Sequence, residues 1–281
     1  MSDWYEEQLE IKNGRAFKVQ YKQLLESYRS PFQKIDIYES VPFGKMLVHD
    51  GVLMLTEFDE PHYHEMIVHP ALNVYPEPRN VLVIGGGDGG TLREILKHKE
   101  VRTAHLCEID NDVIRLCKKH FPNLACSFDD PRTEVFTEDG AQFIKKYRDF
   151  YNVIIVDSSD PVGPAEVLFR EAFYRDMFDA LTDDGIVITQ SESFLYHQDT
   201  IGDIAGFSRK IFPRYHYYYT LVPTYPSGVI GFSFCSRKYH PLDDLRPEKI
   251  EHLRDLKYYS KEIHSGSFAL PLAFSKYLEK L

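Results

Sequence analysis

Val81-Leu82-Val83-Ile84-Gly85-Gly86-Gly87-Asp88-Gly89-Gly90 is the stretch on which the fold turns. Four consecutive apolar residues leave no polar face for water, so they read as a strand buried on both sides, the kind found in parallel sheets. The glycines after them allow a sharp turn and close backbone approach to a ligand, and Thr91 to His98 continues at helical spacing. Strand, glycine loop and helix in that order open a βαβ nucleotide-binding unit. Taken alone, such a loop is also compatible with nothing more than a tight turn.

Outward from this unit, strands and helices alternate. Strands are predicted at Thr103 to Ile109, Glu134 to Thr137, Asn152 to Val156 and Gly185 to Gln190, with helices at Asp112 to His120, Ala141 to Tyr147 and Arg170 to Leu181. That alternation implies right-handed crossovers and a doubly wound, mostly parallel sheet with helices on both faces, an α/β fold of Rossmann-like, methyltransferase type. Tyr215 to Leu221 and Val229 to Phe234, around Pro-Ser-Gly, read as antiparallel edge strands. Before the alternation begins, Lys34 to Glu39, Lys45 to Val48 and Val52 to Thr56 read as strands, and Asp50-Gly51 marks a hairpin. The expected division is a small antiparallel unit over 1–58 and a catalytic domain over 59–281, its first helix running from Glu60 to Tyr75.

Two acidic residues define the ligand. Glu108 lies 18 positions beyond Gly90, at the end of the second predicted strand, where a carboxylate can accept hydrogen bonds from both ribose hydroxyls. With Gly85 and Gly87 it points to a nucleoside-bearing ligand. Asp88 narrows the choice, because a carboxylate in the glycine loop repels a pyrophosphate and so argues against a nicotinamide dinucleotide. It suits an S-adenosyl compound, and the decarboxylated form best, since only positive charge remains at that end. The plainer alternative for Asp88 is a helix cap.

Asn152 to Val156 runs into Asp157-Ser158-Ser159-Asp160-Pro161-Val162-Gly163-Pro164. Ligands of doubly wound sheets bind beyond the carboxyl ends of the strands, so this loop and the glycine loop should share one crevice. Two carboxylates three residues apart suit a diamine, one to orient or deprotonate the attacking nitrogen and one to anchor charge; Asx-turn chemistry is the plainer reading.

The motifs Gly-Gly-Gly-Asp-Gly-Gly-Thr-Leu-Arg-Glu (85–94), Cys-Glu-Ile-Asp (107–110), Glu-Asp-Gly (138–140), Asp-Ser-Ser-Asp-Pro-Val-Gly-Pro-Ala-Glu (157–166) and Pro-Thr-Tyr-Pro-Ser-Gly (223–228), with Tyr63-His64-Glu65 and Glu262-Ile263-His264, resemble the spermidine synthase family of putrescine aminopropyltransferases. The likeness spans nearly the whole chain. It implies that aminopropyl passes from decarboxylated S-adenosylmethionine, a co-substrate, to putrescine, giving spermidine and methylthioadenosine. It implies Asp157 as proton acceptor with Tyr63 beside it, Gln33 and Glu108 on the ribose, Asp139 and Gly140 on the adenine, Pro164 against the nucleoside, and Asp88 on the aminopropyl ammonium. His64, Ser158, Asp160, Gln190, Glu192 and Tyr225 would line the diamine channel. The chain departs from the family at Lys12-Asn13-Gly14, where Trp-Pro-Gly is frequent, and at Val229, where Gln is common; both bear on amine specificity. Runner-up readings are a diamine methyltransferase using S-adenosylmethionine and a non-catalytic polyamine-binding relative.

Composition agrees. The 281 residues carry 33 Lys+Arg against 43 Asp+Glu, a net charge of −10, which disfavours nucleic acid and favours cationic ligands. No apolar run is long enough for a membrane span, and the start lacks signal-peptide character, so a cytoplasmic enzyme is expected. Cys107, Cys117, Cys126 and Cys235 show no metal-ligand rhythm and read as reduced thiols. His62, His64 and His69 lack the spacing of a helical metal site, and neither metal nor cofactor is expected. Tyr215, Tyr217, Tyr218 and Tyr219 are expected on a strand with one buried face, and Lys97-His98-Lys99 as a solvated helix end. The N-terminal unit, with Phe17, Leu24 and Leu25 to bury, is a candidate surface for a homodimer or homotetramer.

Overall fold

The computed structural model describes residues 3–159 and 163–281. Five strands, β1 (Asp3–Glu6), β2 (Lys18–Arg29), β3 (Lys34–Ser40), β4 (Lys45–His49) and β5 (Val52–Thr56), form an antiparallel sheet in sequential order. At the Asp50-Gly51 turn both residues have positive φ, 48° and 86°, the geometry whose twist matches a two-residue hairpin. β2 is 12 residues long and escapes the sequence pattern, because two register irregularities against β3 break its alternation.

The second sheet contains β6 (Asn80–Gly85), β7 (Thr103–Cys107), β8 (Thr133–Phe136), β9 (Tyr151–Asp157), β10 (Leu181–Gln190), β11 (Arg214–Leu221) and β12 (Val229–Ser236), in the order β11-β12-β10-β9-β6-β7-β8. The first five in sequence pair in parallel, while β12 and β11 are antiparallel at one edge, as the sequence pattern implies. The chain builds outward from β6 to β7 and β8, then returns to the other side of β6 with β9. The order therefore reverses between β6 and β9, and the crevice beyond their carboxyl ends is the expected ligand site.

The helices are α1 (Glu60–Leu72), α2 (Gly90–Leu96), α3 (Asn111–His120), α4 (Pro122–Ala125), α5 (Gly140–Phe143), α6 (Glu171–Ala180), α7 (Gln198–Ile211), α8 (Pro247–His252), α9 (Lys261–Ser267) and α10 (Leu272–Leu278). Strand side chains alternate between two cores. Val81, Val83, Val153 and Ile155 pack with α1 and α2, whereas Leu82, Ile84, Ile154 and Val156 pack with α5, α6 and α7.

Several expectations are corrected. The first helix stops at Leu72, and the one after β8 gives way to a 3₁₀ turn at Ile144–Lys146. Tyr217 and Tyr218 are both buried although they point to opposite faces of β11. Tyr218 donates to the Met66 carbonyl (2.8 Å) and Tyr217 to that of Glu192 (2.8 Å), so both faces of this edge strand are covered. His98 is no solvated helix end: it is buried, with Nε2 3.0 Å from Nδ1 of His69. Cys107, Cys117 and Cys235 are buried and Cys126 exposed, all free thiols. No helix among the described residues is long and apolar enough to cross a membrane.

Candidate active site

β6 and β9 bring the two loops together residue against residue, with Gly85 paired to Asp157 across the ladder. The Gly86 N–H donates to the Asp157 carbonyl (2.9 Å), and Gly85 has φ 83°. A Cβ at Gly85 would lie 2.1 Å from that carbonyl oxygen, so only glycine fits. Gly87 is needed by contact: its Cβ would come within 3.0 Å of the Glu108 carboxylate.

Asp157 ends β9 with both side-chain oxygens accepting from hydroxyls, Oδ1 from Tyr63 (2.8 Å) and Oδ2 from Thr91 (2.6 Å). Those donors come from α1 and α2, so two helices fix its orientation and the Asx-turn alternative does not hold. Burial and the nearby negative charge of Asp88 push the Asp157 carboxyl upward from its ordinary range, while His64, Thr91 and Tyr63 oppose this.

Asp88 does cap the start of α2, accepting from the Gly90 N–H (2.7 Å), but it also faces His64, 3.3 Å away. His64 is 2% exposed and its other ring nitrogen lies 2.6 Å from Glu60, which two Arg93 nitrogens hold in turn (3.1 and 2.9 Å). Burial alone would depress the imidazole; the carboxylates at both nitrogens outweigh it and lift it to about 10. The imidazolium in turn draws Asp88 downward against the effect of burial. Ligand atoms of His64, Asp88 and Asp157 lie within 4.8 Å of one another. Each His64 ring nitrogen already faces a carboxylate, Glu60 at Nδ1 and Asp88 at Nε2.

On the nucleoside side, Glu108 accepts from the Asp110 N–H (2.8 Å), and burial, then Asp110, Asp157 and Asp88, push it to about 7. Gln33, in the turn between β2 and β3, donates to Asp110 (3.1 Å), which brings it to the Glu108 loop from the other sheet. Asp139 caps α5 through the Ala141 N–H (2.8 Å), and a Cβ at Gly140 would strike Ile84 at 2.3 Å.

A pocket opens beside Asp157, lined by Tyr63, Ser158, Gln190, Glu192, Tyr225 and Val229 among others. Tyr225 is held by its hydroxyl on the Met54 carbonyl (2.7 Å) and by the neighbouring Thr224, whose N–H donates to Asp59 (2.9 Å) at the start of α1. The 223–228 loop is thereby stapled to the base of the site.

Two sequence models match the chain: "Spermine/spermidine synthase domain" over residues 60–245 and "Spermidine synthase tetramerisation domain" over 3–57. The chain belongs to the spermine/spermidine synthase family. It is an enzyme, a transferase, as the family resemblance implies. A polyamine aminopropyltransferase of Leptospira biflexa is 50% identical, the match covering 100% of this chain and 99% of that protein. The spermidine synthase of Schizosaccharomyces pombe is 42% identical over 95% of this chain and 91% of its own. A crystal structure of a spermidine synthase in complex with the transition-state analogue AdoDATO superimposes with a TM-score of 0.96 at 39% identity, covering 99% of this chain and 96% of that one.

Within this family member, Tyr63, Ser158, Gln190, Glu192 and Tyr225 share the pocket wall. His64 does not: it is shut beneath the glycine loop, where a Cβ on Gly90 would lie 2.2 Å from its ring. Asp160 lies outside the described residues, as does the side chain of Pro164. Sequence reasoning missed Glu7, Glu10, Tyr196 and His197, which also line the pocket. Glu7 and Glu10 are about 1% and 2% exposed; buried acids are rare without partners, but nothing in their local sequence marks them as buried. Lys12 and Asn13 are exposed and off the pocket wall, whereas Val229 is on it.

Proposed function

We propose that this transferase moves the aminopropyl group of decarboxylated S-adenosylmethionine to putrescine, giving spermidine and methylthioadenosine. The observation that carries the reading is the half-buried Asp157, oriented by two hydroxyls, lying between the Asp88 loop and an acid-lined pocket. Glu108 and Gln33 hold the ribose, Asp139 and Gly140 the adenine edge, Pro164 packs on the nucleoside, and Asp88 receives the aminopropyl ammonium. Holding the propyl chain between Asp88 and Asp157 aligns its sulfur-bearing carbon with the pocket, the positioning that makes displacement effectively unimolecular.

The difficult step lies with the nucleophile, because an ammonium has no lone pair. Asp157 accepts its proton, and the raised affinity of this carboxyl for a proton brings it closer to that task. Tyr63 stays protonated, held up by burial and by Asp157, and acts as a fixed donor that aims the carboxylate. Ser158, whose buried hydroxyl has no partner among the described residues, and Gln190 bracket the attacking end, while Glu192 and Tyr225 hold the rest of the diamine, with Asp160, outside the described residues, joining them only on the strength of the family resemblance. The bond from nitrogen to carbon forms as the carbon–sulfur bond breaks, and the leaving thioether is neutral. Its departure needs no acid and no metal, so activity is expected to survive a chelator.

The test is product identification. Decarboxylated S-adenosylmethionine and putrescine should yield an amine heavier by one aminopropyl unit; a methylated amine formed from S-adenosylmethionine would favour the methyltransferase reading, and amine binding without any turnover the non-catalytic one.

A further inference from the structure

His197 is the residue before α7 and sits in the pocket wall with a carboxylate near each ring nitrogen: Nε2 hydrogen-bonds with Glu10 at 3.2 Å, and Nδ1 lies 2.8 Å from Glu192, within ion-pair distance but outside hydrogen-bond geometry. Both acids are nearly sealed, with side chains 3% and 5% exposed for Glu10 and Glu192. Glu192 is forced into the pocket by a left-handed backbone, φ 63°, unusual for a residue with a Cβ. That conformation is locked by the Glu192 carbonyl, which accepts from Tyr217 (2.8 Å) and from the Gly231 N–H (3.0 Å). Glu10 also accepts from Arg15 and Asn13, and the Arg15 guanidinium lies 4.0 Å over the Tyr196 ring. A bridge of Glu192, His197, Glu10 and Arg15 thus joins the N-terminal segment to the start of α7.

We infer that His197 is a specificity-determining residue: its bridge closes the amine pocket at this end, admitting a diamine and rejecting an acceptor long enough to carry a further ammonium into it. The inference rests on the aminopropyl-transfer reading above. The diamine shares Glu192 with His197, whereas a third ammonium would have to displace this cation from Glu10, and juxtaposed like charges are a repulsive device for specificity. The bridge is also conditional. An imidazolium at a helix N-terminus is opposed by the helix dipole, so it depends on the two acids, chiefly Glu192, which raise its proton affinity against the effect of burial. The charged groups facing it are Glu7, Glu10, Arg15 and Glu192. As pH rises and His197 loses its proton, that repulsion is lost and the preference for the diamine narrows.

The experiment measures kcat/KM for putrescine and for spermidine as acceptors with the wild-type enzyme, His197→Ala and His197→Gln, using decarboxylated S-adenosylmethionine as donor. Expected is a roughly tenfold or larger shift of the ratio toward spermidine in both variants. A ratio within twofold of wild type in a variant that binds methylthioadenosine normally overturns the inference. Failure of the wild-type enzyme to aminopropylate any amine overturns the underlying reading instead; calorimetric binding of the two amines then still reads the bridge.

Discussion

Tyr63, His64 and Glu65 are consecutive, yet they serve three different places. Tyr63 donates to Asp157, His64 is clamped between Glu60 and Asp88, and Glu65 accepts from the backbone N–H groups of Lys257, Tyr258 and Tyr259 at 2.8, 3.0 and 2.7 Å. Helical rotation between neighbours sends them to different surroundings. Asp88 and Asp157 were readable from the sequence because glycine loops and strand ends leave a carboxylate few structural tasks. The enclosure of His64 was not, since it depends on α2 packing against α1. At this scale Asp88→Asn removes the charge facing the donor's ammonium. Titration calorimetry should show about 10- to 100-fold weaker binding of decarboxylated S-adenosylmethionine, the worth of one charge-assisted hydrogen bond, and a narrowed preference over S-adenosylmethionine. Glu108 makes a second test. Because its carboxyl is pushed to about 7, and only the ionised form accepts from both ribose hydroxyls, donor affinity should rise between pH 6 and 8; Glu108→Gln should remove that rise.

Elements carry the site through register and close packing. The Gly85–Asp157 pair follows from the β6–β9 register, and a shift of one residue would turn Asp157 to the other face. Most strands were legible because a continuous apolar run between turn residues suits a buried strand, and an Asp-Gly pair between two such runs suits a hairpin, better than any competing local structure. The exceptions have local causes: β2 is bulged, the extra 3₁₀ turn shortens α5, and α7, which begins at His197 and Gln198 after an irregular loop, carries no strong start signal. Gly90→Ala should test the α1–α2 contact. Its methyl would meet the His64 ring at 2.2 Å, so denaturant unfolding should show a loss of about 1–3 kcal/mol, with weakened donor binding as Asp88 moves. The same contact has a pH signature. His64 is raised to about 10 in the folded protein from 6.5 unfolded, so its contribution is fully present below pH 6.5 and is lost as pH rises through 10. Asp88 and Glu60 are lowered, so theirs is present above the ordinary carboxylate range and lost in acid. Wild-type Tm should therefore fall between pH 7 and 10, and His64→Gln should fall less across that interval.

For the whole molecule, the part of the −10 net charge that bears on the site is a few placed acids: Glu7, Glu10 and Glu192 line one pocket, and Asp157 and Asp88 stand at the strand ends beside it. The division of labour between a parallel sheet and an antiparallel N-terminal sheet was legible from the change of rhythm along the chain. Gln33 was legible only through the family resemblance, and the share of Glu7 and Glu10 in the pocket was not, because they reach it only through tertiary packing. The N-terminal sheet also leaves Trp4 60% and Leu24 47% exposed, and its residues match the tetramerisation domain. Self-association through it is expected, and Leu24→Glu should reduce the mass seen by light scattering. The most direct test of the chemistry is a single-turnover measurement of aminopropyl transfer to putrescine by Asp157→Asn. A rate lower by roughly 10²–10⁴ with donor affinity within a few-fold of wild type is the expected result; a near wild-type rate with the same product would show that Asp157 is not the base.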